Sequence, residues 1–242
     1  MTHHKTVENR STPAAVPCCT VTSHPLVPVP SLNKPQSDID YDFDATARIT
    51  AVGIGSFGSR TAELLSRNVR GITCHEVSVN AKSSSEGFSS LLSSVHQSDL
   101  LFIISSFDDP SCTSLAQTVG NASCRAGILT IAIAPLPLGS SFPKGQESWY
   151  DTLFGVSGRS LPPQPETVIP EGDALTGYAM RHMVASITNL ITYQTGICID
   201  FADVTAIMRE GSAGRLGVGV ASGESRAFTA AKGAIKRLEE QG

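Results

Sequence analysis

Two short patterns in this 242-residue chain carry residue types that do chemistry. The first is Gly53-Ile54-Gly55-Ser56-Phe57-Gly58, a G-x-G-x-x-G run between an apolar stretch and a segment of helical character. Glycines in that context let a backbone approach phosphate oxygens at the positive N-terminus of a helix. Alone, the run is weak, because a tight turn kept for packing explains it equally well. Glu76 stands about where an acid holds a ribose hydroxyl in dinucleotide folds, so an NAD- or FAD-binding protein competes for the same residues. The second pattern is Asp200 and Asp203, three residues apart at the start of a helical segment and able to act together on one face. An aspartate there also serves as an ordinary helix cap, and the two uses are compatible. Cys74, His75 and Glu76 have metal-ligand chemistry, but neighbours on a strand point to opposite faces, so no metal site is expected.

The elements that must hold these residues follow from hydrophobic period. Apolar runs at 49–54, 72–79, 100–105 and 128–134 predict strands, each near-continuous as parallel strands covered on both faces are. Segments 60–69, 85–96 and 111–126 supply helices between them, which predicts βαβ units and a doubly wound parallel α/β sheet. Residues 140–171, rich in Gly, Pro and Ser, predict a long loop. A long helix is predicted over 174–195, then a short apolar piece at 197–199, a helix over 201–210, a glycine-punctuated strand at 216–221 and a helix over 224–240. Residues 1–45 are proline-rich with an acidic stretch at 38–44 and no apolar period, which predicts a disordered head.

Composition narrows the function class. A formal charge of -4 without a basic stripe gives no phosphate-neutralising surface, so no nucleic-acid partner is expected. The longest apolar run, 127–138, is too short for a membrane span, and the N-terminus lacks the charged and apolar regions of a secretion signal, so a cytoplasmic protein with no membrane insertion is expected. The six cysteines form no C-x-x-C pair and read as buried free thiols.

The residues that discriminate among nucleotide folds lie near the end. Ile199-Asp200-Phe201-Ala202-Asp203-Val204, then 217–227 and 230–235, resemble the stretch of the bacterial tubulin-like division GTPases, the FtsZ family, in which VDFADV leads into a strand and a GxAxGxxRAxxAAxxAI helix. Upstream, residues 52–65 stand where that family has its first phosphate loop, Val79-Asn80-Ala81 where its second loop begins, and 99–104 and 127–133 where later strands lie, so the likeness covers about 47–240. It implies a nucleotide-binding α/β domain with a long central helix over 46–197, and the beginning of a second domain over 198–242. It implies GTP, with Mg, at Gly53, Gly55, Ser56, Phe57, Gly58 and Asn80. It also implies that Asp200 and Asp203 act in trans on a neighbouring subunit's nucleotide.

The likeness has gaps. Where the family has the glycine-rich GGGTGTG loop, this chain has 105–114 with no glycine, Pro110 without an N–H to donate, and Asp108 and Asp109 where phosphates would sit. The guanine-reading Asn-Asp pair has no counterpart, with Gly177 and Tyr178 near its place, and Cys198 and Thr205 replace an asparagine and an arginine beside the acids. These departures imply no resident cofactor and a non-catalytic accessory protein that modulates or caps filaments of a complete FtsZ. The alternatives are a GTP-binding, self-assembling GTPase and a Rossmann-like dinucleotide protein. The strand at 216–221 is expected to be under-paired and open to another chain.

Overall fold

The computed structural model describes residues 16–22, 47–79, 85–136, 140–157, 160, 173–192, 199–211 and 213–241. The strands are β1 (Val16–Thr22), β2 (Ile49–Ile54), β3 (Ile72–Val77), β4 (Leu100–Ser105), β5 (Leu129–Pro135), β6 (Thr152–Val156) and β7 (Ala213–Val220). The helices are α1 (Gly55–Asn68), α2 (Ser85–Val95), α3 (Pro110–Arg125), α4 (Asp173–Thr192), α5 (Phe201–Glu210) and α6 (Arg226–Glu239). One parallel sheet runs in the order β1-β7-β6-β5-β4-β2-β3.

The doubly wound arrangement follows from the apolar runs. Every residue of β2 and β4 is buried, so both faces of the sheet need cover. One face packs Phe102, Ile104, Ile131 and Ile133 against Phe57 and Leu65 of α1 and Met180, Met183 and Ile187 of α4. The other packs Leu101, Ile103 and Leu153 against Leu91 and Val95 of α2 and Ala116 and Val119 of α3. Burying a Leu, Ile, Phe or Met contributes about 1.5–3 kcal/mol each, so these two layers hold the fold.

Three features differ from the sequence reading. Residues 152–156, inside the predicted loop, form β6: TLFGV is short and glycine-containing, yet all five residues are buried between β5 and β7. Residues 16–22, inside the predicted disordered head, form β1, which pairs with β7 along its whole length. Pro17 is tolerated because β1 is an edge strand, where one side of the ladder needs no donors. The strand expected to open a second domain joins the main sheet, with Leu153, Phe154 and Gly155 of β6 in register with Ala213, Gly214 and Arg215. Beyond Arg215 β7 has β1 on one edge and, among the described residues, no strand on the other, so the expected under-pairing is relieved on one edge only. The remainder of the head and the short piece predicted at 197–198 lie outside the described residues.

Candidate functional site

The connections leaving β2 and β4 diverge, α1 toward β3 and α3 toward β5, which opens a cleft of about 600 Å³ at the carboxyl ends of these strands. Such a switch point is where doubly wound folds bind ligands. The glycine run borders it, but α1 begins at Gly55 itself, so Gly53 and Ile54 end β2 and the rest of the run is the first turn of the helix. Each glycine has a packing reason. A Cβ on Gly53 would overlap the Gly58 carbonyl, and one on Gly58 would overlap the Ile104 carbonyl. Gly55 has φ 74°, and a Cβ there would lie 2.6 Å from the Cys112 sulfur. Ser56 is exposed at the cleft, whereas Phe57 is buried as a member of the core layer. Ile54 at the N-cap supplies no side-chain bond to the first-turn amides of α1. Arg60, one turn on, brings a cation to the same cleft. Asn80 lies outside the described residues.

The opposite wall is built differently. Asp109 is the N-cap of α3, with its Oδ1 accepting the Ser111 N–H at 2.8 Å, and Pro110 occupies the first helical position. An anion at a helix N-terminus needs those donors and that positive end; here one donor is absent and another is held by a resident carboxylate. The Thr113 hydroxyl donates to the carbonyls of Phe107 (3.2 Å) and Asp109 (3.0 Å), and the Ser106 hydroxyl donates to Asp108 Oδ2 (2.9 Å). Phe107 meets Phe142 edge-on at 5.9 Å and stacks on Tyr150 at 6.3 Å. The turn is therefore pinned from below and closed by its own acids. Cys112 is buried against Gly55, and burial foremost, then the nearby Asp109 charge, pushes its thiol pKa up, so it is a neutral filler in the cleft wall. Asp109 before Pro110 is a plain cap signature, a signal the comparison of glycine loops passes over.

Asp200 and Asp203 form a reciprocal capping box on α5. Asp200 Oδ1 accepts the Asp203 N–H at 2.9 Å, and Asp203 Oδ2 accepts the Asp200 N–H at 3.2 Å. Both residues are exposed. The far end of α5 is tied to the starts of β5 and β6: Arg209 donates to the Gly127 carbonyl at 2.8 Å and lies 3.9 Å from Asp151, and the Thr152 hydroxyl donates to the carbonyls of Met208 and Gly211. In a parallel sheet all strands start at one pole, so the C-terminal end of α5 stands at the pole opposite the cleft.

On α4, Gly177 packs on α1, where a Cβ would lie 3.4 Å from the Thr61 hydroxyl. Tyr178 carries the Arg181 guanidinium over its ring at 4.4 Å and meets His182 edge-on at 4.6 Å. Arg181 Nη2 lies 3.1 Å from His182 Nε2; an arginine can only donate, so the imidazole is neutral with its proton on Nδ1. Sequence reasoning picked out neither Arg181 nor His182, because a His on an amphipathic helix gives no local signal of its partner. Glu76 is exposed on β3, in register with Gly53.

No family model matches the chain. It is 29% identical over 169 residues to the cell division protein FtsZ of Bartonella bacilliformis, covering 65% of this chain and 28% of that protein. It is 32% identical over 151 residues to FtsZ 2 of Rhizobium meliloti, covering 56% and 43%. An empty FtsZ dimer from M. jannaschii superposes with a TM-score of 0.65 at 22% identity, covering 78% of this chain and 68% of that one, a likeness of fold. The chain thus spans less than half the length of these curated relatives. With relatives found by sequence and the same parallel sheet found by superposition, the chain is similar to the FtsZ proteins in sequence over part of their length and in fold.

Proposed function

We propose that this protein is an FtsZ-like accessory of the cytoplasmic division cytoskeleton that holds its own nucleotide poorly and acts on filaments of a complete FtsZ, modulating or capping them. One observation carries the reading: the wall of the cleft that would receive phosphates is an Asp-Pro helix cap, with Asp109 seated on the Ser111 amide. A triphosphate would have to displace that carboxylate or lie beside it. Two carboxylates a few ångströms away repel a phosphate by roughly 1 kcal/mol each even under strong screening. Asp200 and Asp203, by contrast, are exposed and held in fixed orientation by their capping box, each with one carboxylate oxygen outside it. A subunit with that asymmetry adds to one filament end and offers nothing to the next subunit.

Sedimentation of a full-length FtsZ with GTP, with and without an equimolar amount of this protein, tests the reading. Reduced polymer mass or altered turnover is expected, and Asp200→Asn/Asp203→Asn, which keeps cap acceptors but removes both charges, should weaken the effect. Unchanged polymer mass and turnover would count against it.

The first turn of α1, whose N-cap Ile54 supplies no side-chain bond, with Arg60 nearby, favours a second reading, a GTP-binding and self-assembling GTPase using Gly53, Gly55, Ser56, Phe57, Gly58 and Asn80, with Asp200 and Asp203 acting between subunits. Titration with fluorescent GTP separates the two, since micromolar affinity with hydrolysis would establish the enzyme. Among the described residues no helix is long and apolar enough to cross a membrane.

A further inference from the structure

The exposed edge of β7 is occupied by β1, and the pairing is lopsided. β7 meets β6 over only three residues, Ala213 to Arg215, but meets β1 over seven, Gly214 to Val220. Among the described residues, β1 is therefore the one strand beside Leu216 to Val220. Those residues matter to the core: Leu216 and Val218 are fully buried. The opposite face of β7 is glycine, and α6 sits so close that a Cβ on Gly217 or Gly219 would overlap the carbonyls of Ala234 or Ala230. A strand buried on one face and clasped by a helix on the other has its edge as its remaining open side.

We propose that this edge is a strand-docking site for the Val16–Thr22 sequence, filled by the chain's own copy in dilute solution and able to take the same strand from a second copy of the chain. Connection length decides between the two. Thr22 ends β1 at the cleft pole, while β2 starts at the opposite pole and lies five strands away across the sheet. Five spacings of about 4.8 Å and a strand about 20 Å long set a span of about 30 Å. Residues 23–46, 24 in number, are enough to reach about 80 Å at full extension, well beyond that span, so one chain can supply its own strand, and an intramolecular strand outcompetes one from a second copy at micromolar protein. The site is independent of the nucleotide cleft and of whether the proposed function holds.

The test is a hinge deletion. Removing residues 24–45 leaves four residues between Thr22 and Ile49, a connection that spans only about 17 Å, too short to close on itself. The full chain should elute at the mass of one 25.4 kDa copy, and the shortened chain at twice that or more, by light scattering after size exclusion. A second variant, Cys19→Pro/Thr20→Pro, removes one N–H facing β7 whichever way the strand alternates. In it, amide exchange at residues 216–220 should quicken by at least about tenfold. Should that variant fail to fold, a chain lacking residues 1–46 given a synthetic 15–23 peptide replaces it, and the peptide should slow exchange at the same amides. A shortened chain that stays monomeric, with amides at 216–220 that respond neither to the prolines nor to the peptide, would overturn the proposal.

Discussion

Acidification should destabilise this protein through one buried histidine, and the size of the effect follows from its surroundings. His182 is 7% exposed on α4 and accepts a hydrogen bond from the Arg181 guanidinium. Burial first, and then the Arg181 charge, lowers its pKa from 6.5 to about 4. In the unfolded chain the imidazole takes up its proton near pH 6.5, so between pH 6.5 and 4 the unfolded state binds more protons than the folded one. Stability is therefore full above pH 6.5 and falls as pH drops toward 4. A shift of about 2.5 units corresponds to about 3 kcal/mol at the bottom of that window and about 2 kcal/mol at pH 5, a large share of a typical 5–15 kcal/mol. His182→Gln keeps an acceptor for Arg181 and does not titrate. Urea unfolding of both proteins from pH 7.5 to 4.5 isolates the histidine, because carboxylates that also respond, such as Asp99 held low by its hydrogen bonds to Arg48, are common to both. The difference between the two stabilities should change by about 2 kcal/mol between pH 7.5 and pH 5. Parallel curves would refute the assignment of a neutral, buried His182.

Other perturbations test the remaining structure. Asp109→Ala should cost about 1 kcal/mol by thermal or urea unfolding, through loss of the α3 cap, whereas Asp109→Asn should cost less because asparagine caps well. Opening the same turn with Asp108→Gly/Asp109→Gly/Pro110→Gly should raise affinity for GTP in a fluorescence titration; an unchanged affinity would mean that the turn is not what closes the cleft. Gly219→Ala should cost about 1–3 kcal/mol or more, because the added methyl meets the Ala230 carbonyl, a backbone atom that α6 cannot easily move. Gly233→Ala on α6, whose Cβ would have no neighbour closer than 3.7 Å, should cost nothing and gain helix propensity.

Much of the core was legible in the sequence. β2, β4 and β5 are continuous apolar runs, and such runs between helical segments have few other ways to bury themselves. α4 was legible within its described span for the same reason, and the capping use of Asp200 was legible from its place before Phe201. β6 was not, because five residues that include a glycine, inside a Gly, Pro and Ser-rich stretch, carry too little periodicity. β1 was not, because its stability comes from β7, about 200 residues away in the chain. The acid at the head of α3 was read as a charge facing a ligand; its bond to Ser111 shows it facing its own helix.

The sequence by itself determined the doubly wound sheet, the family likeness and the loss of glycines between β4 and α3, because these rest on local residue types and spacing. Only the tertiary structure decided that Asp109 caps α3, that Asp200 and Asp203 form a reciprocal capping box, that Arg181 and His182 share a buried hydrogen bond, and that Val16–Thr22 pairs with β7. Those are contacts between residues whose spatial separation is set by packing and by parallel pairing across the sheet, and no local pattern in the chain encodes such distances.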